Sequence, residues 1–236
     1  MNFDIKTYAS LESTQDEALR LLEEGKGAQG LVVQAMTQLN GRGRHGNSWN
    51  GPLGNLYLSV VLSPEIDQKH SGQIAFVAGL AVAETIRSLT HPNIDIGLKW
   101  PNDVLIGDQK LAGILIEKFE HFYILGIGLN ILAPPDYAAG LQAFSDKRLP
   151  INPVRDMLLD ILDVYYTRWI KEGFSVIKDQ WMSRAAYLNE EIEVRLPNAR
   201  TSGIFKGIDN DGALILEKDH KTQRFLSGEV FLPADD

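Results

Sequence analysis

The chain has no cysteine, which excludes disulfides and cysteine nucleophiles and fits a reducing compartment, the cytoplasm. It has no apolar run long enough to span a bilayer, and "MNFDIKTYAS" lacks the basic start and apolar middle of a secretion signal. Its five histidines are scattered, and no His/Glu spacing resembles a zinc site, so no metal ligand set is assignable. Basic residues are also in short supply, and the formal net charge is −8. That argues against a general nucleic-acid binder, whose affinity comes from neutralising phosphates. What is present is a hydrophobic content of 44% over 236 residues, enough for one substantial core and a small satellite.

"STQDEALRLLEEG" reads as a helix with Ser13 at its N-cap, Asp16 three residues on and Gly25 as its stop. "GLVVQAM" (30–36) and "NLYLSVVL" (55–62) read as strands, which leaves 39–54 as a long loop between them. Ile74, Val77, Ala78, Ala81, Val82, Thr85 and Leu89 recur at helical spacing and predict a helix over 72–90. "DIGLKW", "DVLIG", "KLAGILIEKF" and "FYILGIGLNIL" follow as strands. Turns at Gly107-Asp108 and Glu120-His121 imply antiparallel pairing. A second long helix is expected from an Asn152 cap with Pro153 in its first turn, and a short helix near 174–185. After Leu188 the texture becomes four short strand candidates punctuated by Gly203, Gly212 and Gly228. The expected architecture is therefore α+β: a domain over 1–187 with a small β-barrel over 188–236.

The local exception to the acidity is "LNGRGRHGNSWN" (39–50). It carries Gly-Arg-Gly-Arg-x-Gly-x-x-Trp, and further on come Lys-Trp-Pro-Asn-Asp (99–103), Lys-Leu-Ala-Gly-Ile-Leu (110–115) and Gly-x-Gly-x-Asn (126–130). Each piece alone is bland, since Pro-Asn-Asp is an ordinary turn and a lysine opening a strand is an ordinary edge residue. Together, in this order and spacing, they resemble the biotin protein ligases, and "SGEV" in the C-terminal part extends the likeness to nearly the full chain. The resemblance implies a mixed, largely antiparallel sheet backed by helices, of the class II synthetase type, with an SH3-like barrel. It implies the ligase-only type, since no helix-turn-helix precedes the main domain.

By the same resemblance, biotin and ATP form biotinyl-5′-AMP and pyrophosphate, and a carrier-domain lysine then takes the biotinyl group. Lys110, Arg42, Arg44 and Asp103 are the expected catalytic set. Two anions must meet in the first step, so cations are needed between them. Ser13, Thr14, Gln15, Gln38, Gly41, Gly43, Gly113 and Gly126, with Arg42, Arg44 and Lys110, are expected around biotin, where hydroxyls and amides suit a ureido ring. Arg42, Arg44, Trp49, Asn102, Lys110 and Asn130 are expected around the adenylate. Several readings stay open. Trp49 is a lid or the hydrophobic anchor of its loop. Ser13 caps a helix, binds ligand, or does both. Asp103 serves a magnesium ion, accepts a proton, or caps a turn. Lys99 has no assigned role, and Glu229 either touches the active-site loops or only folds the barrel. His45, Asn47 and Ser48 depart from the family's pattern and make the loop less basic, and Gln15 stands where the family has asparagine. Magnesium is expected with ATP, and the expected partner is a biotin carboxyl carrier domain. The chain is expected as a monomer or a side-by-side homodimer. A lipoate ligase, a nucleic-acid clip built on Gly-Arg-Gly-Arg, and a silent biotin binder are the competing readings.

Overall fold

A computed structural model describes residues 1–233. Its centre is a seven-stranded sheet in the order β1-β2-β5-β9-β8-β7-β6. The strands are β1 (Asp4–Tyr8), β2 (Leu31–Ala35), β5 (Leu56–Leu62), β6 (Ile96–Lys99), β7 (Asp103–Ile106), β8 (Gln109–Phe119) and β9 (Phe122–Leu129). Only β1 and β2 run parallel, joined by α1 (Thr14–Glu23); the other pairs are antiparallel, and the short turns at 107–108 and 120–121 require this of β7–β8 and β8–β9.

All seven residues of β5 are buried, as befits a central strand covered on both faces. Leu56, Leu58, Val60 and Leu62 face the main core, built against α2 (Gln73–Leu89), α3 (Ile151–Glu172) and α4 (Phe174–Met182). Val61 faces a smaller cluster with Ala18, Leu21 and Leu22 of α1 and Ile124 of β9. The alternation on β9 sends Tyr123, Leu125, Ile127 and Leu129 to the main core, and leaves Ile124, Gly126 and Gly128 on the α1 face. Since α1 is short, it covers Ile124 and reaches Gly126 only through Gln15, leaving Gly128 beyond it, and that end of the sheet becomes the cleft.

Ser13 caps α1 as expected, its Oγ accepting from the Gln15 N–H at 3.2 Å. The start of α3 differs from expectation. Pro150 occupies the cap position, and Asn152 and Pro153 lie inside the first turn. Proline is tolerated there because the first-turn N–H groups have no intrahelical partner. Freed from capping, Asn152 Oδ1 accepts from Gln34 at 3.3 Å. The expected long loop 39–54 is also partly ordered: β3 (Gln38–Arg42) and β4 (Ser48–Gly51) form an antiparallel ribbon closed by a 3₁₀ turn with His45 and Gly46 at positive φ.

The C-terminal strands are β10 (Glu191–Leu196), β11 (Ala199–Ile208), β12 (Leu214–Lys218), β13 (Lys221–Phe225) and β14 (Glu229–Phe231). They form an antiparallel sheet in the order β13-β12-β11-β10-β14. The last strand candidate of the sequence is split, because Gly228 at φ +141° turns the chain between β13 and β14. Among the described residues this sheet is open, with β13 and β14 as its edges, rather than a closed barrel. Its apolar side joins the main core through Ile192, Val194, Phe205, Leu214, Leu216 and Val230. Trp100 Nε1 donates to the Gly212 carbonyl at 3.0 Å, tying the two sheets next to the cleft.

Candidate active site

The cleft measures about 440 Å³ and opens over the bare end of the sheet. Gly113 and Gly128 are register partners on β8 and β9, and Gly126 sits two residues before Gly128. Side chains there would close the floor: a Cβ on Gly128 would lie 2.4 Å from Trp49 Cε2, and one on Gly113 would lie 2.7 Å from Trp49 Cζ3. The Trp49 indole therefore rests directly on sheet backbone. Its Nε1 is buried without a hydrogen-bond partner among the described residues. The ring is thus an inward-turned flap of the ribbon. Lys110 Nζ stands 5.3 Å from the ring centroid.

The cations meet beside this floor. Lys110, near the start of β8, holds its ammonium 2.7 Å from Asp103 Oδ1 in a charge contact without hydrogen-bond alignment. Arg44, in the turn of the ribbon, donates from Nη1 to Gly228 O at 3.1 Å and to Asn102 Oδ1 at 3.3 Å. Burial lowers the Arg44 pKa, and Asp103 and Glu229 only partly oppose this. Lys99 ends β6 in the same wall. Burial chiefly lowers its pKa and Lys110 adds to that, while Asp103 and Glu229 pull the other way. Lys110, Arg44 and Lys99 thus share Asp103 and Glu229, which leaves an excess of positive charge in a partly dry cleft.

A lysine whose folded pKa lies below its unfolded one carries a folding penalty that is full at low pH. The penalty is relieved as pH rises from the folded value towards the unfolded one. Lys99→Met should therefore be more stable relative to wild type at neutral pH than at pH 10. Chemical denaturation at the two pH values checks this; a stability difference independent of pH would contradict it.

The other expected residues are placed as follows. Ser13, Thr14, Gln15, Gln38, Arg42, Gly43, Asn102, Gly113, Gly126 and Asn130 all line the cleft. Thr14 Oγ1 accepts from Ser59 Oγ at 2.8 Å, and the Thr14 N–H donates to Gln38 Oε1 at 2.8 Å, so the Gln38 oxygen has a partner. Asn130 is 2% exposed at the cleft wall. Its backbone is held by Leu111 O at 2.9 Å, while Asn55 Oδ1 accepts from the N–H groups of Ile131, Leu132 and Ala133 just beyond.

Two residues are not where the motif places them. Gly41 is not in the cleft wall; a Cβ there would meet the Trp49 carbonyl at 2.5 Å, so its glycine serves the close pairing of the ribbon. Arg42 reaches the rim but turns away from the other cations, with Nη2 2.8 Å from Asp16 Oδ1 and 2.9 Å from Glu117 Oε2. Sequence reasoning missed both carboxylates. It left Glu229 open, and the structure answers that: Glu229 Oε1 accepts from Asn47 Nδ2 at 3.3 Å, so β14 touches the ribbon. The signal for Glu117 was its alternation with Gly113 and Leu115 on β8, which places it on the cleft face.

With this geometry established, comparison with known proteins is direct. The model of the Biotin/lipoate A/B protein ligase family matches residues 8–130, and that of the Biotin protein ligase C terminal domain matches residues 187–232. The chain belongs to the Biotin/lipoate A/B protein ligase family. Within it, the likeness is to the biotin protein ligases. A biotin--[acetyl-CoA-carboxylase] ligase of Paracoccus denitrificans is 35% identical over 94% of this chain and 98% of its own. One of Mycobacterium tuberculosis is 32% identical over 96% of this chain and 88% of its own. The structure of a biotin protein ligase from Aquifex aeolicus in complex with biotin and ATP superposes with a TM-score of 0.85 at 28% identity, covering 97% of each chain. The expected fold class and ligase identity both agree with these relatives, and the open antiparallel C-terminal sheet is consistent with the small SH3-like domain expected there. No described helix is long and apolar enough to cross a membrane.

Proposed function

We propose that the cleft activates biotin with ATP and passes the biotinyl group to a lysine of a biotin carboxyl carrier domain. In the first step a biotin carboxylate oxygen bonds to the α-phosphorus and the bond to pyrophosphate breaks, giving biotinyl-5′-AMP. In the second, a lysine amine bonds to the acyl carbon, AMP leaves and the amine loses a proton. The supporting observation is the excess of half-buried positive charge formed by Lys110, Arg44 and Lys99 over a floor of bare backbone. Anions relieve that excess, and fixed charge favours the crowded pentavalent phosphorus.

Lys110 spans the biotin carboxylate and the α-phosphate, and Asp103 holds its ammonium in place. Arg44 serves the phosphates. Arg42 joins them only by leaving Asp16 and Glu117, so its contribution belongs to a ligand-bound, closed ribbon. Trp49 must lift from Gly113 and Gly128 for ligand to reach the floor, after which the ribbon covers the adenylate and excludes water. Asn130, in the cleft wall, reads the adenine edge. We read 1–187 as the ligand-binding part and 188–236 as its wall on the β14 side.

Among the described residues no three Asp, Glu, His or Cys side chains converge into an all-protein cage for a metal ion. Magnesium belongs to the ATP substrate in this reading, and no step is assigned to it.

The test is exchange of labelled pyrophosphate into ATP with biotin or lipoate added. Biotin-dependent exchange is expected. Exchange driven by lipoate and not by biotin would overturn the reading.

A further inference from the structure

Gln15 is 4% exposed, on the first turn of α1, beside the cleft floor. Its Nε2 donates to Glu117 Oε2 at 3.0 Å and to the Ile124 carbonyl at 3.2 Å. Both partners are oxygens that only accept, so the amide cannot be flipped: the opposite orientation would set its oxygen against two others. The remaining atom, Oε1, is buried and has no partner among the described residues. It lies 3.2 Å from where a Cβ would stand on Gly126, a glycine of the cleft floor. A buried carbonyl oxygen without a donor is costly, and one at the wall of a ligand cleft is an acceptor awaiting an N–H or O–H.

We propose that Glu117 is a positioning residue for ligand specificity. It locks the Gln15 amide so that the cleft presents an acceptor and no donor at this point, which selects a ligand carrying an N–H there. This rests on the biotin reading, in which that group is one ureido N–H of the ring. Arg42 adds to the device before the ribbon closes: its Nη2 lies 2.9 Å from the same Glu117 oxygen that takes the Gln15 amide, so the carboxylate is already placed when ligand enters, and Gln15 Nε2 keeps it once Arg42 moves to the phosphates. An acyl compound of the same shape that lacks the N–H leaves Oε1 unpaired and is rejected.

The experiment compares biotin with an analogue whose ureido N–H nearest Gln15 is replaced by ring oxygen, a cyclic carbamate. KM for each is measured by ATP–pyrophosphate exchange, and both carbamate regioisomers are used so that each N–H is tested. In the wild type one regioisomer should raise KM by about tenfold or more. Glu117→Ala should raise KM for biotin by about tenfold, with a smaller change in kcat, and shrink the carbamate penalty to about twofold. Glu117→Gln, which can still offer an oxygen to Gln15 Nε2, should restore most of the penalty. Glu117→Thr, a better strand former, repeats the truncation should the alanine variant fail to fold. A working wild type with a full carbamate penalty in the truncated variant overturns this inference and leaves the biotin reading intact. A wild type without biotin-dependent exchange overturns both.

Discussion

Replacing Lys110 by alanine should lower biotin-dependent ATP–pyrophosphate exchange by about 10²–10³-fold, the usual loss when one fixed charge stabilising a transition state is removed. The neighbouring cations cannot stand in for it. Arg44 is tied to Gly228 O and Asn102, Arg42 is tied to Asp16 and Glu117, and Lys99 sits against the Phe231 ring with its ammonium 5.2 Å from the centroid. Lys110 stands between the Asp103 carboxylate and the Trp49 face at the cleft floor, and with Asp103 holding it in place its remaining N–H groups are free to meet both anionic substrates. Lys110→Arg should recover only part of the rate, because a planar fork cannot replace a point charge between two groups. Far smaller changes are expected in the melting temperature of either variant, which separates loss of chemistry from loss of fold.

The second large effect is expected at Gly128. A valine there would place its Cβ 2.4–2.7 Å from three atoms of the Trp49 indole, before its methyl groups are counted. The ring cannot keep that seat, and a ligand entering in its place meets the same obstruction. Overpacking of this kind costs about 1–3 kcal/mol in a rigid site. We expect kcat/KM for biotin to fall by about 10–100-fold, the same energy expressed as a rate. Trp49 emission should shift to longer wavelength in the ligand-free variant, as the indole moves to water. Unchanged emission with unchanged kcat/KM would show that Trp49 and the ligand both avoid this stretch of floor.

The fold was legible where physics is local. The Ser13 cap, the apolar period of α2 and the buried run of β5 each state their structure in a few consecutive residues. The ribbon β3–β4 was not legible, because its strands are short, β3 is mostly exposed and both carry glycine and polar residues, so no apolar alternation marks them. The start of α3 was ambiguous for another reason: proline fits anywhere in a first turn, so Pro150 and Pro153 compete as signals. At the site, the motif residues were found through a family likeness, and the cleft collects nearly all of them. Asp16 and Glu117 beside Arg42 were invisible, since Glu117 arrives by sheet register and Asp16 by the packing of α1. The close seat of Trp49 on Gly113 and Gly128 was equally hidden: a string shows three small gaps in side chain, but not that one ring fills two of them.

The central claim is that clustered cations hold a carboxylate against an α-phosphate until they join. The most direct measurement is a single turnover with biotin and α-labelled ATP in the absence of any carrier. The account predicts one acid-stable-to-isolation, hydroxylamine-sensitive biotinyl-5′-AMP per active site, retained by the protein, with pyrophosphate released in equal amount and label passing to AMP once a carrier domain is added. AMP appearing at the same rate without biotin, or biotin reaching the carrier with no adenylate ever trapped, would contradict it.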